Sequence, residues 1–142
     1  MNVWLIIINP YAYDEAMEDA IEMAKISSCD LNVVFLIDHK SLNKTLNNIG
    51  EHRLFGLGAI HNLQSSLSLG YHKLGENVLQ RVERKAQDVH LKIQGIVEGV
   101  ILKDYLESLI SEGVIKIFVA TTSSSSLNGI NEFSDKVQII QE

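Results

Sequence analysis

The sequence predicts a three-layer α/β sandwich, in which helices cover both faces of a doubly wound, five-stranded, mainly parallel sheet. Three observations predict it: short apolar runs recur along the chain, they lack the polar alternation of half-exposed strands, and segments with helical spacing separate them. Strands that alternate with helices form parallel sheets with right-handed crossovers. We expect one domain over residues 1–142, because neither a linker nor an internal repeat interrupts the pattern.

The first third of the chain predicts a strand, a helix and a second strand. The opening run NVWLIII is almost continuously apolar, and LNVVFLID, which begins at Leu31, has the same character. Between them a stripe of apolar residues has helical spacing, and Asp14 stands where its side chain could cap the helix. The stripe consists of Ala16, Met17, Ala20, Ile21 and Ala24.

The middle of the chain predicts a loop and then one long amphipathic helix. Residues 41–52 are polar and rich in asparagine, which favours a loop. Beyond them, apolar residues recur in steps of three and four, although several glycines weaken the beginning of the helix. These apolar positions are Leu57, Ile60, Leu63, Leu67, Leu74, Val78, Val82, Ala86 and Val89.

The last third predicts three strands and one helix. LKIQGIVEG and VIKIFVAT are the third and fourth strands, KVQII is a short fifth, and the helix after the third strand ends at Gly113. The connection SSSSLNGINEFSD leaves barely enough chain for a parallel crossover to the last strand. The expected core includes Leu5, Ile7, Val34, Leu36, Ile96, Ile117 and Val119.

Composition excludes several classes of function. The net charge of −6 argues against a nucleic-acid partner, which would require a basic face. No run approaches the roughly 20 apolar residues of a membrane span, so no membrane partner is expected. Cys29 is the single cysteine, which is typical of a cytoplasmic protein without disulfides. The five histidines lack ligand spacing within one element, so we expect no metal.

Side chains that could catalyse a reaction are few, and we expect no enzyme. Asp38 and His39 follow the second strand, but adjacent strand residues point to opposite faces. The serine run Ser123–Ser126 lacks the Gly-x-Ser-x-Gly turn that exposes a hydrolase nucleophile. We therefore assign no catalytic residue.

The place for a ligand follows from the predicted sheet. Open parallel sheets bind ligands beyond the carboxyl ends of their strands, where the strand order reverses. The loops there are NPYAYDEA after strand one, DHKS after strand two and TTSSSSLNG after strand four. Tyr11 and Tyr13 in the first loop could stack on a base or simply pack over the sheet edge.

The order of these motifs resembles the universal stress protein family. The resemblance lies in a proline-containing loop after strand one, a second strand ending in LID, and the later segments IQGIVEG and IKIFVAT. It covers essentially the whole chain and implies a UspA-like fold of the adenine nucleotide alpha hydrolase-like class, with strand order 3-2-1-4-5. It also implies a homodimer through the last strands. One branch of the family binds ATP, and another lacks the ATP-binding motif.

The chain departs from the ATP-binding branch at both ends of its motif. Where that branch has an aspartate two residues after the loop proline, this chain has Ala12. Where it has two glycines after strand four, this chain has Thr121 to Ser124, with no glycine before Gly129. Backbone amides approach phosphate closely only where side chains do not obstruct them. We therefore predict a divergent member that lacks the ATP-binding glycine motif and has no cofactor.

The serine-rich loop leaves two interpretations open. It is either a polar connection where a helix was lost, or a hydroxyl-lined site for phosphate or sugar. No lysine or arginine lies between Lys116 and Lys136, which disfavours phosphate. The alternative site, for an ATP- or AMP-type nucleotide, would consist of Pro10, Tyr11, Ala12, Ile37, Thr121, Thr122, Ser123, Ser124, Ser125 and Ser126.

The favoured function is a regulatory or interaction module in the stress response, with a homodimer formed by the last strand. A short apolar edge strand pairs readily with a copy of itself, and Val137, Ile139 and Ile140 would supply the contact. The nearly uncharged segment Leu54–Tyr71 is the alternative dimer surface or a site for another protein.

Overall fold

The computed structural model describes residues 2–37, 57–121 and 135–141 of the chain, which form five strands and three helices. The predicted loop at 41–52 and nearly all of the serine-rich connection lie outside the described residues. The described elements are β1 (Val3–Ile7), α1 (Asp14–Ile26), β2 (Leu31–Leu36), α2 (Leu57–Gln87), β3 (Ile93–Glu98), α3 (Leu102–Glu112), β4 (Lys116–Thr121) and β5 (Val137–Gln141).

The strands form one sheet in the order β3-β2-β1-β4-β5, and all four neighbouring pairs are parallel. Leu5, at the middle of β1, lies beside Val33 of β2 and Phe118 of β4. The predicted fold class and strand order are therefore confirmed, and so is the parallel fifth strand. None of the described helices is long and apolar enough to cross a membrane.

Helices on both faces of the sheet bury two apolar cores. On one face, α1 and α2 cover Leu5, Phe35 and their neighbours, and on the other face α3 covers Ile6, Val34 and Ile117. Every residue of β2 is buried, because this strand lies inside the sheet and has helices on both sides. Apolar runs without alternation are the consequence of burial on both faces.

One core prediction is wrong. Ile96 of β3 is 47% exposed, whereas the other six predicted core residues are buried. The residues packed against α3 come from β1, β2, β4 and β5 among the described strands, and none comes from β3. Because β3 lies at the edge, the side chain of Ile96 extends past the area that α3 covers.

The helix ends correct one further prediction. Tyr13, not Asp14, is the N-cap of α1, and it makes no side-chain capping hydrogen bond. Asp14 is the first helical residue, so its carboxylate lies near the positive end of the helix dipole. Gly113 ends α3 as predicted, with a φ of 92°.

Helix α2 approaches the sheet most closely at Gly75. An ideal Cβ built there would lie 2.5 Å from Cδ1 of Phe35 and 3.0 Å from Cγ2 of Val97. Gly70, one turn and a half earlier in the same helix, has no neighbouring atom within 4 Å of such a Cβ. Gly75 therefore sets the distance between α2 and the sheet, whereas Gly70 lies in open space.

We predict that Gly75→Ala and Gly70→Ala have opposite effects on stability. Gly75→Ala forces the buried ring of Phe35 to move, which should lower the free energy of unfolding by about 1–3 kcal/mol. Gly70→Ala removes only the helix cost of glycine and should raise it by up to about 1 kcal/mol. Urea unfolding followed by circular dichroism measures both. Equal effects of the two substitutions would contradict the close approach at Gly75.

Candidate ligand site at the carboxyl edge of the sheet

The strand order reverses between β1 and β4. Chain connections run from β1 outward to β2 and β3, and then return to β4 on the other side of β1. Parallel sheets open a crevice at such a point, beyond the carboxyl ends of the two strands. The loop after β1 and the carboxyl end of β4 border this crevice, and the residues that follow Thr121 lie outside the described part of the chain.

The loop after β1 is attached to the end of β4. The backbone N–H groups of Ile8 and Asn9 both donate to the carbonyl oxygen of Ala120, at 3.0 and 3.4 Å. The side-chain Oδ1 of Asn9 accepts a hydrogen bond from the N–H of Tyr11 at 3.1 Å, which closes a turn around Pro10. This turn leaves the side chain of Tyr11 81% exposed.

The other predicted site residues separate into three groups. Pro10 and Ala12 are half-buried in the same turn, and Thr121 is buried at the end of β4. Ile37 has its side chain in the core beneath α1 and α2, and its N–H donates to the carbonyl of Glu98 at 2.9 Å. Thr122 and Ser123–Ser126 lie outside the described residues.

The two tyrosines of the first loop have different environments. Tyr13 is only 5% exposed, and the guanidinium of Arg81 lies 5.1 Å from the centre of its ring. Arg81 also forms an ion pair with Asp14, with 2.6 Å between Nη2 and Oδ1. A ring covered in this way cannot stack on a base, so only Tyr11 remains open to a ligand.

Arg81 is the residue of this region that the sequence interpretation missed. Hydrogen bonds to Tyr13 and then to Asp14 raise the pKa of Arg81 above its ordinary value. The arginine therefore stays charged and ties α2 to the beginning of α1. Arg81 lies on α2 next to Val82 and three residues after Val78, both of which are buried. This position at the border of the apolar stripe of α2 is the local signal in the sequence that could have identified it.

The described residues contain little catalytic chemistry at this edge. No three histidine, cysteine, aspartate or glutamate side chains within the described ranges could together hold a metal ion. Burial and then the charges of Glu98 and Glu112 raise the pKa of Tyr105, which packs edge-to-face on Trp4 in the α3 core. That tyrosine remains a neutral phenol at physiological pH.

Asp38 and His39, the pair after the second strand that the sequence analysis considered for catalysis, lie outside the described residues.

A shallow cavity of about 240 Å³ lies elsewhere, at the amino ends of β2 and β3. Its position is opposite to the crevice between β1 and β4, so it adds nothing to the site predicted there. Charged and amide side chains line it together with two aliphatic ones: Asp30, Glu83, Gln87, Leu91, Lys92, Ile93 and Gln94.

Solved structures share this architecture. A protein of the universal stress protein family from Burkholderia pseudomallei superposes on it with a TM-score of 0.70, covering 99% of this chain and 96% of its own at 14% sequence identity. This chain has the universal stress protein fold. Hypothetical protein MJ0577, a test case of structural genomics, superposes with a TM-score of 0.65, 14% identity and the same coverage.

The similarity to universal stress proteins is one of fold. No protein-family profile matches the sequence, and no curated protein matches it either. The predicted UspA-like fold is confirmed by the two superpositions, which span nearly the whole chain. The predicted loss of the ATP-binding glycine motif stays a prediction, because most of the loop concerned lies outside the described residues.

We predict that Arg81→Met lowers the free energy of unfolding by about 1 kcal/mol, and by less in high salt. The pair with Asp14 is largely exposed and contributes modestly, while the contact with the ring of Tyr13 adds a similar amount. Arg84→Met, on the same helix at an exposed position, is the control. It should change the free energy of unfolding by only a few tenths of a kcal/mol. Chemical unfolding at two salt concentrations measures this, and equal losses for the two arginines would contradict the assignment.

Proposed function

We propose that this protein is a homodimeric interaction module with the universal stress protein fold, without catalytic activity and without the phosphate-loop mode of ATP binding. The observation that carries the proposal is the edge strand β5. It pairs with β4 on one side, and among the described residues no strand pairs with its other side. A free edge of this kind presents unpaired N–H and C=O groups to a second strand.

The backbone of β5 indicates which groups are free. The carbonyl of Lys136 accepts a hydrogen bond from Ile117 at 2.7 Å, so it points toward β4. Because alternate residues direct their backbone groups to the same side, Val137, Ile139 and Gln141 direct theirs outward. A two-fold axis at Ile139 would pair this strand with its copy over its whole length, and Ile139 would oppose Ile139 of the partner subunit.

The side chains of β5 support the same arrangement. Ile140 is 6% exposed and packs in the core of its own chain, so the apolar contact across the axis falls to the other two predicted residues. Val137 and Ile139 are half-buried at the border of the α3 core. A second copy of β5 would extend this core across the axis and cover both side chains.

The charges at the crevice disfavour a phosphate ligand. Asp14 and Glu15 lie in the first turn of α1, next to the loop that borders the crevice. The arginine that contacts this loop, Arg81, is held by Asp14 and by the ring of Tyr13. A phosphate group would have to displace that pair or bind close to these two carboxylates, which carry charge of the same sign.

The second candidate function is binding of an ATP- or AMP-type nucleotide, and Tyr11 favours it. Its ring is 81% exposed at the point where the strand order reverses, and an exposed ring there could stack on a base. In this alternative the hydroxyl groups of the serine-rich loop would contact the sugar or phosphates.

A partner surface on the first half of α2 is a further element of the proposal. The helix has 31 residues and is therefore about 46 Å long, whereas a six-residue strand spans about 20 Å. Leu69 is 71% exposed and Tyr71 is 36% exposed in its uncharged part. These side chains belong to the predicted contact segment Leu54–Tyr71 and support a protein partner there.

We predict that a cysteine at position 139 cross-links the dimer. In a Cys29→Ser background, Ile139→Cys places two thiols directly opposite at the axis, with about 5.5 Å between Cα atoms, which suits a disulfide. Gln138→Cys is the matched control, because in this register it faces Ile140 of the partner subunit. Oxidation and non-reducing electrophoresis measure the linked fraction. Stronger cross-linking at 138 would mean a shifted register, and none at either position would contradict dimerisation through β5.

We predict no binding of ATP, AMP or cyclic nucleotides in the micromolar range by calorimetry. Arg81, the cation beside the loop that borders the crevice, is already paired with Asp14, and the first turn of α1 carries two carboxylates, so phosphate would be poorly accommodated. Micromolar affinity would favour the second candidate function. Tyr11→Ala should then weaken it, whereas Tyr71→Ala, which removes an exposed tyrosine of α2 that is not part of the predicted site, should not.

A further inference from the structure

The opposite edge of the sheet, at β3, has the same kind of free backbone. Among the described residues β3 pairs with β2 alone. The carbonyls of Lys92 and Glu98 accept hydrogen bonds from β2 and its extension, at 3.3 and 2.9 Å, so both point inward. By alternation, the N–H and C=O groups of Ile93, Gly95 and Val97 point outward.

The side chains of β3 give this edge little protection against pairing. Edge strands usually carry charges, prolines or bulges that prevent association. Here the four residues from Gln94 to Val97 are uncharged, and the charges stand only at Lys92 and Glu98. Ile96 is 47% exposed on the face that carries α3. The two charges have opposite signs and equal distances from Gly95, which makes the strand complementary to its own antiparallel copy.

We propose that β3 binds β3 of a second copy of this chain, antiparallel, with the two-fold axis at Gly95. In this register Lys92 opposes Glu98 of the partner subunit, and Glu98 opposes Lys92 of the partner subunit. Ile93 and Val97 form hydrogen-bonded pairs with each other across the axis, because the backbone groups of both point outward. The whole strand Ile93–Glu98 takes part in the pairing.

Other registers fit the same strand less well. A shift by one residue sets outward-pointing backbone groups opposite inward-pointing ones, so the ladder cannot form. An axis at Ile96 instead keeps the alternation but sets Lys92 opposite Val100 of the partner subunit, which loses both charge pairs. Only the axis at Gly95 uses the full strand and both pairs of opposite charges.

The pairing also accounts for the exposed isoleucine. Ile96 lies one residue from the axis, so it and Ile96 of the partner subunit become diagonal neighbours on the same face, within reach of each other. Together with the proposed contact at β5, this second contact would join dimers edge to edge. Two different two-fold contacts at opposite edges of one sheet produce an open row of subunits where their axes do not cross.

The test removes the contact at β5 and then reverses charges at β3. Ile139→Lys sets two lysines opposite each other at the β5 axis, and in that background we expect a concentration-dependent dimer in sedimentation equilibrium. Adding Lys92→Glu, or Glu98→Lys, creates two like-charge pairs at β3 and should raise the dissociation constant about tenfold. Combining both reversals restores opposite charges and should return the constant to within about threefold of the background.

Lys73→Glu is the control for net charge in Lys92→Glu, because it makes the same change of charge at an exposed position on α2. It should leave the dissociation constant unchanged, and circular dichroism checks that every variant is folded. Loss of all association in the Ile139→Lys background would overturn the pairing at β3 and leave the proposal for β5 intact. Folded single reversals that bind as well as the background, or a double reversal that does not recover, would overturn it equally.

Discussion

The whole structure depends on the burial of β1 between two parallel neighbours and two helical layers. Its backbone is paired with β2 on one side and β4 on the other, and Leu5, Ile6 and Ile7 are fully buried. The backbone N–H and C=O groups of a strand in this position cannot reach water, so each needs a hydrogen-bond partner in a neighbouring strand. A buried group without a partner would cost more free energy than a typical hydrogen bond contributes. The strand order reverses beside β1, between β1 and β4. The central position of β1 therefore forms the core and also creates the crevice.

The two faces of the sheet are covered unequally. On one face α1 and α2 cover the sheet, and the glycine at position 75 allows α2 to lie directly against the buried ring of Phe35. On the other face, α3 is the helix that the described residues provide. Its coverage ends before β3 and leaves Val137 and Ile139 of β5 half-buried, so the apolar borders and free backbone groups of the sheet lie at its two edges.

The candidate site shows how a shared fold can carry different chemistry. Its position follows from strand order alone, and the two superposed structures share that architecture. What a ligand would meet there depends on individual side chains: the open ring of Tyr11, the covered ring of Tyr13, and an arginine already paired with Asp14. Superposition at 14% identity supports the position of the site but not the side chains that a ligand would meet there.

The sequence by itself determined the strands, the helices and their order, because burial on both faces leaves apolar runs and burial on one face leaves a helical stripe. It also located the crevice, since parallel sheets place ligands where the strand order reverses. Only the tertiary structure decided that Ile96 is exposed, that Tyr13 is covered and that Arg81 reaches Asp14. These outcomes depend on how far one helix extends over a strand and where two helices meet. These contacts are made between residues that are far apart in the sequence, so no local sequence pattern predicts them.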